Sequence, residues 1–404
     1  MVSDSSVSEL EVARWRADTP GTSNVLHLNN AGSALVPRQV VESITDYLSA
    51  ESLHGGYEQR DTDRETLDAT YESVAKLIGA RADEIFLAEN ATRAWDQVFY
   101  GLPLKRYDRI LTGRSEYSSN VLAFLHRARL DGVEVRVIPD DGHGQICLEA
   151  LADELAHPAV RVVALTHVPT YAGLVNPAAE VGKLCQKFGT VFLLDACQSV
   201  GQLEIDVQEI GCDVLTATSR KFLRGPRGIG FGYVRAGSMP RLPPAWIDLR
   251  SAAWTQPDSY TLAPDARRYE TWEQSYALVA GLGAAAAYAL RVGMNKIEAR
   301  VDALATDLRQ RLEAEGYGVI ELGQRRSGIV TFPVNDTPDA VMHALRARDI
   351  NVGVSTNSHV RWDIPPGESE QVLRASVHYY NTVEELERFV VTLNEIDCGS
   401  TSTI

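Results

Sequence analysis

The sequence is poor in the residues that mark several protein classes. It holds five cysteines in 404 residues (Cys147, Cys185, Cys197, Cys212 and Cys398), widely spaced and without a CxxC pair. That excludes a zinc ribbon or a disulfide framework and suits reduced thiols in a cytoplasmic protein. The nine histidines include no HExxH or His-x-His pair, so no metal site is expected. No run of 18 apolar residues occurs, and the first residues lack the apolar core of a secretory signal. Neither a membrane span nor export is therefore expected. Positive charge is also scarce: 39 Lys and Arg stand against 54 Asp and Glu, a net charge of −15. Nucleic acid and anionic lipid are polyanions, so neither is an expected partner.

What remains is an ordinary globular composition, 45% hydrophobic and 23% charged, long enough for two or three domains. Short β-branched runs alternate with amphipathic stretches. The pattern predicts strands at 84–88, 109–112, 133–138, 160–166, 191–194, 214–217 and 229–234, with helices at 92–101, 120–130, 148–156 and 178–188. Runs such as VRVVALT and VFLL are apolar throughout, as expected of strands covered on both faces. The rhythm predicts an α/β fold with a mostly parallel, doubly wound sheet, whose ligands sit beyond the strands' carboxyl ends. Three prolines between Met239 and Pro244 break the pattern. Long helices at 275–292 and 296–315 follow, then strands at 328–332 and 372–377 and helices at 338–348 and 383–394. These predict a smaller α+β domain. The expected division is a large domain over 36–262 and a small one from 1–35 with 263–404.

Three segments carry chemistry. In Phe192-Leu-Leu-Asp195-Ala-Cys-Gln198, a carboxylate directly follows a buried strand. Alone, Asp195 equally suits a helix cap or a turn. Lys221 comes 26 residues later, in Thr218-Ser-Arg220-Lys221-Phe-Leu-Arg-Gly225-Pro-Arg-Gly228. That is about one strand-helix-strand unit, so both groups face one crevice. An amine beside hydroxyls, an Arg and glycines suits a phosphorylated carbonyl cofactor, although GPRGIG alone is also a tight turn. In Glu89-Asn90-Ala91-Thr92, a helix begins after a strand. Its free N–H groups suit a phosphate, or simply an N-cap.

Together, in this order, the segments resemble the aminotransferase class V family of pyridoxal-phosphate (PLP) enzymes on the fold-type I scaffold. The resemblance runs from about Leu26 to about Leu393. That family includes cysteine desulfurases, isopenicillin-N epimerase and cysteine C–S lyases. The resemblance implies PLP as cofactor, with Lys221 as the lysine that condenses with it. It implies Asp195 as partner of the pyridine nitrogen, which keeps the ring an electron sink, and Gln198 beside the phenolic oxygen. Ala91 and Thr92 match the phosphate-binding helix start. Thr218 and Arg220 match the Ser and His that hold the phosphate in desulfurases. Tyr117 falls where desulfurases have a ring-stacking His, and Thr170 where an Asn lies near the cofactor oxygen. Thr271 falls where a neighbouring subunit reaches the phosphate, which implies a homodimer with shared active sites. Arg374 matches the arginine that grips the substrate carboxylate through a bidentate pair.

Desulfurases carry a nucleophilic Cys before that late arginine; here the interval from Gly353 to Arg374 has none. The chain most resembles the branch that cleaves S-substituted cysteines, in ergothioneine and lincosamide pathways. The implied reaction is β-elimination to a thiol, pyruvate and ammonia, in sulfur-containing natural-product biosynthesis. Oxidative decarboxylation with deamination, epimerisation and transamination use the same core residues and stay open. Asn30, Tyr57 in a glycine-hinged loop, and Arg361 are candidates for the distal substrate pocket.

Overall fold

A computed structural model describes residues 7–171, 173–356, 362 and 371–399. A two-residue strand, β1 (Leu26–His27), comes first. The large sheet then takes β2 (Ile85–Ala88), β3 (Arg109–Thr112), β4 (Glu134–Val137), β5 (Val160–Thr166), β6 (Val191–Asp195), β7 (Val214–Thr218) and β8 (Gly230–Val234). Their spatial order is β2-β8-β7-β6-β5-β3-β4. Pairings from β4 through β7 are parallel, with helices such as Ser118–Asp131 and Ala178–Phe188 as crossovers. Phe192, Leu193, Leu194, Val162 and Val163 are fully buried, which is why these runs are apolar rather than alternating.

Only β8 runs against its neighbours. A parallel partner for β7 would need a crossover of a dozen or more residues. The link from Thr218 to Gly230 is shorter and turns back at the same edge. It is this link that carries Lys221, so the reversal leaves the lysine at the carboxyl end of β7.

A hairpin, β9 (Ala252–Gln256) with β10 (Ser259–Leu262), follows the large sheet in the chain and exposes Trp254 and Tyr260. The helix Tyr276–Val292 packs on two helices absent from the sequence expectation, Arg38–His54 and Arg64–Leu77. Beyond it, β11 (Ile329–Phe332), β12 (Ile350–Asn351), β13 (Gly353–Thr356) and β14 (Gln371–Ser376) complete the strands. β14 lies between β11 and β13 in an antiparallel sheet, and β12 pairs with β1.

A buried ion pair clips this sheet to the helix Met294–Ala314. Arg309 Nε donates to Glu321 at 2.9 Å, and its Nη2 donates to the Ser327 and Ile329 carbonyls. Glu321 also accepts from the Thr331 N–H at 2.7 Å. Arg309→Met strands a buried carboxylate, and should cost about 3–5 kcal/mol in denaturant unfolding. A loss below about 1 kcal/mol would mean that the clip is not what holds the sheet to the helix.

Candidate active site

The carboxyl ends of the parallel strands converge on one cavity of about 430 Å³. Ala91 and Thr92 follow β2, Tyr117 follows β3, Thr170 follows β5, Asp195 and Gln198 come from β6, and Thr218, Arg220 and Lys221 from β7; all nine line it. Glu89, Asn90, Thr166, Val168, Cys197, Arg227 and Gly228 complete the wall.

The helix Ala91–Phe99 opens at Asn90, whose side chain caps the Arg93 N–H at 2.9 Å. The cap leaves the first N–H groups of the helix free for a ligand. An added Cβ at Gly230 would meet the Ala91 nitrogen at 2.7 Å, so only glycine lets β8 lie against this helix start. Gly201, at φ +94°, nests the turn after Gln198 against the lysine loop; a Cβ there would meet Leu223 N at 2.3 Å.

Lys221 is buried, with its Nζ 5.9 Å from the centre of the Tyr117 ring. Burial lowers its pKa; Asp195 and the Cys197 group oppose this, and Arg220 and Arg374 add to it. Its loop is pinned by Arg224, a buried guanidinium bonded to the Leu35 carbonyl, the Tyr379 hydroxyl and Thr19, and lying 4.5 Å over the Tyr380 ring. Arg220 donates to the Gly32 carbonyl, which ties the N-terminal segment to the same loop.

Asp195 is held from behind. Its Oδ1 accepts the Cys197 N–H at 2.9 Å, and its Oδ2 accepts the Asn120 amide at 3.0 Å. Gln198 donates to Thr170 Oγ1 at 3.1 Å, while its buried Oε1 has no protein partner. Thr170 Oγ1 also accepts from Arg374 Nη1 at 2.5 Å, and Asn29 accepts from Nη2 at 3.4 Å. Arg374 Nε is buried and unpartnered. Burial, with Arg220 adding repulsion, pulls the Arg374 pKa down to about 10. It remains a cation at neutral pH, held without a carboxylate beside it among these contacts.

Not every expected residue comes to this cavity. Asn30 is fully buried in the protein instead: its amide donates to the Ser376 carbonyl at 2.7 Å, and its oxygen accepts the Tyr380 hydroxyl. Asn29 next to it is the residue that meets Arg374. Tyr57 is 66% exposed on a helix, Gly56–Thr62, and does not line the cavity; the segment is helical rather than a loop. Thr271 lines a neighbouring cavity of about 650 Å³ that shares Glu89 and Gly228 with the first. Arg361 lies outside the described residues. Several residues at or beside the cavity have no counterpart in the sequence expectation, among them Arg227, Thr166, Val168, Glu116 and Asn120.

The aminotransferase class-V profile matches residues 26–389. The chain belongs to the aminotransferase class-V family. Family members are PLP-dependent, and so is this enzyme. A probable cysteine desulfurase of Methanothermobacter thermautotrophicus is 30% identical over 392 residues, covering 94% of this chain and 97% of the relative. The apo cysteine desulfurase of Thermococcus onnurineus NA1 superposes with a TM-score of 0.88 at 26% identity, over 96% of this chain and 98% of that one. The cystine C-S lyase C-DES, in complex with its product cysteine persulfide, shares the fold at a TM-score of 0.84 and 22% identity, over 94% of this chain and 99% of that one. The expected fold-type I scaffold is therefore the observed one.

The cavity fits a PLP-sized group. On its wall Arg220, Lys221 and Arg227 outweigh Asp195 and Glu89, and Arg374, which does not itself line the cavity, sits behind Thr170, which does; this suits a phosphate and a second anion. The free helix start and the orphaned Gln198 Oε1 are polar groups without protein partners. Among the described residues no cluster of metal-ligating side chains is present, and no single helix is long and apolar enough to cross a membrane.

Proposed function

We propose that this enzyme cleaves the C–S bond of an S-substituted L-cysteine by β-elimination, with water giving a thiol, pyruvate and ammonia. The observation that carries this reading is the want of a usable thiol. The sequence has no Cys between Gly353 and Arg374. Among the described residues the one thiol lining the cavity, Cys197, is driven well above its usual pKa by burial, with Asp195 adding to the effect. It stays protonated, and a thiol is a poor acceptor for sulfur transfer.

In this reading Ala91, Thr92, Thr218 and Arg220 hold the cofactor phosphate, Asp195 faces its ring nitrogen and Gln198 its phenolic oxygen. Tyr117 offers an aromatic face in place of the desulfurase His. Bound PLP supplies the electron sink for a carbanion at Cα. Arg374 grips the substrate carboxylate and so fixes which bond at Cα faces the lysine. The Lys221 amine takes the α-proton, and the sulfur leaves Cβ with the bonding pair. Thr271 and the exposed Leu48 on the wall of the neighbouring cavity, with the exposed Trp272 next to Thr271 in the chain, support a homodimer in which the second copy closes that cavity. A role in sulfur-containing natural-product biosynthesis, in the cytoplasm, fits the same reading.

Product analysis tests it. PLP-loaded enzyme given S-methyl- and S-benzyl-L-cysteine should release pyruvate and free thiol in equal amounts. Alanine formed from L-cysteine would mark desulfuration instead. Carbon dioxide with an aldehyde would mark oxidative decarboxylation, and either outcome overturns the lyase reading.

A further inference from the structure

Behind Asp195 lies a second carboxylate that the reaction outlined above does not use. Glu116 is buried and is fed almost wholly by uncharged donors. Its Oε1 accepts the Tyr117 N–H at 2.8 Å, the Asn120 amide at 2.9 Å and the Thr166 hydroxyl. Its Oε2 accepts the Thr166 N–H at 2.9 Å and the Thr112 hydroxyl at 3.2 Å. No salt bridge reaches it among the described residues. Thr166 and Asp195 are direct partners across β5 and β6, so Thr166, which donates twice to Glu116, stands beside Asp195; Glu116 itself follows β3, on the far side of β5. The Asn120 amide bridges them, with one N–H on Glu116 and the other on Asp195 Oδ2 at 3.0 Å.

The bridge has only one sensible orientation. A flipped Asn120 would aim its carbonyl at two carboxylate oxygens at once, and acceptor against acceptor is repulsive. With Asp195 alone, an adjustment of either side chain would relieve the clash; Glu116 removes that freedom. Asp195 thereby receives donors on both oxygens from the protein side, and its remaining lone pairs face the cavity that it lines. Burial, with repulsion from Asp195 adding to it, pushes the Glu116 carboxyl up to about 7, while the donors from Thr166, Asn120 and Tyr117 favour the charged form that the bridge uses.

We propose that Glu116 is a positioning residue for Asp195, acting through the Asn120 amide to keep the Asp195 carboxylate turned toward the cofactor ring. The inference rests on Asp195 facing the ring nitrogen, and the experiment separates the two. Apoprotein is loaded with PLP carrying ¹⁵N in the ring, and the ¹⁵N chemical shift reads the protonation of that nitrogen directly. Wild type should read as pyridinium and Asp195→Ala as neutral pyridine; if wild type already reads as pyridine, the Asp195 reading fails and this inference falls with it. Glu116→Gln should move the resonance toward pyridine while lowering kcat and leaving KM for the amino acid in place. Asn120→Ala should move it the same way, and adding Glu116→Gln to Asn120→Ala should move it no further. An unmoved resonance in folded Glu116→Gln, or additive shifts in the double variant, overturns the proposal. Should Glu116→Gln not fold, Asn120→Ala decides: with Glu116 intact, it must still displace the resonance, and an unmoved resonance overturns the proposal.

Discussion

Lys221→Ala is expected to abolish turnover. Removing a general base alone costs about 10²–10⁴-fold. In the proposed reading Lys221 is also the amine that anchors PLP, so both contributions vanish together and the loss should exceed that range. The visible band of the loaded protein should change at the same time, whereas its Tm without cofactor should hold or rise. The last point follows from the burial of the amine. A buried lysine whose pKa is depressed binds fewer protons in the folded chain than in the unfolded one. Stability therefore rises with pH up to the unfolded lysine value, and at neutral pH the group is a liability that alanine removes. Lys221→Arg is the sharper control, since it keeps a cation but offers no neutral amine. Pyruvate release from an S-alkyl cysteine measures the loss. Residual turnover within about tenfold of wild type would remove Lys221 from the mechanism.

The same burial bears on how PLP loads. Reconstitution needs a neutral amine, and the low dielectric around Lys221 together with Arg220 and Arg374 supplies one below the pH at which free lysine would. Asp195 works against this shift, so the cavity holds a balance rather than a simple apolar pocket.

Much of this site was legible in the sequence because its determinants are local. A carboxylate right after VFLL must stand at a strand's carboxyl end, and a lysine one strand-helix-strand unit later must face the same crevice. Ala91, Thr92, Gln198, Thr218 and Arg220 come to the cavity for the same reason. What escaped depends on distant partners or on direction. Glu116 and Asn120 lie beside Tyr117, but their roles come from Thr166 and Asp195, 50 and 75 residues away. Arg227 faces the cavity because the lysine turn folds back, which composition does not encode. Asn29 and Asn30 are adjacent, and only the pairing of the N-terminal segment with β14 decides that Asn30 turns inward to Ser376. In the fold, the apolar run 229–234 marked a buried strand without saying that it runs antiparallel. The helix Arg38–His54 buries only Val40 and Tyr47, so its apolar signal is weak, whereas Arg64–Leu77 does carry a helical stripe, Leu67, Tyr71, Val74 and Leu77, buried against Tyr276–Val292 and β2, that the expectation leaves out.

Arg374→Ala should raise KM for the amino acid by about 10²–10⁴-fold, the size of two charge-assisted hydrogen bonds at roughly 1.5–3 kcal/mol each. The geometry sets that expectation. β14 lies between β11 and β13, so the backbone beneath Arg374 is fixed on both sides. Thr170 and Asn29 hold the guanidinium, and its Nε remains unpartnered. A cation kept in such surroundings, with its pKa drawn down to about 10 by burial, gains more from an incoming carboxylate than an exposed arginine would. Arg374→Lys should recover only part of the loss, because an ammonium cannot reproduce the planar fork. The decarboxylated analogue, an S-alkyl cysteamine, supplies the decisive comparison. Wild type should bind it far more weakly than the parent amino acid, and Arg374→Ala should bind the two about equally. If the variant keeps the wild-type preference for the carboxylate, Arg374 is not its receptor. Because Thr170 joins Arg374 to Gln198, Thr170→Val should loosen the same grip to a smaller degree, and chiefly in KM.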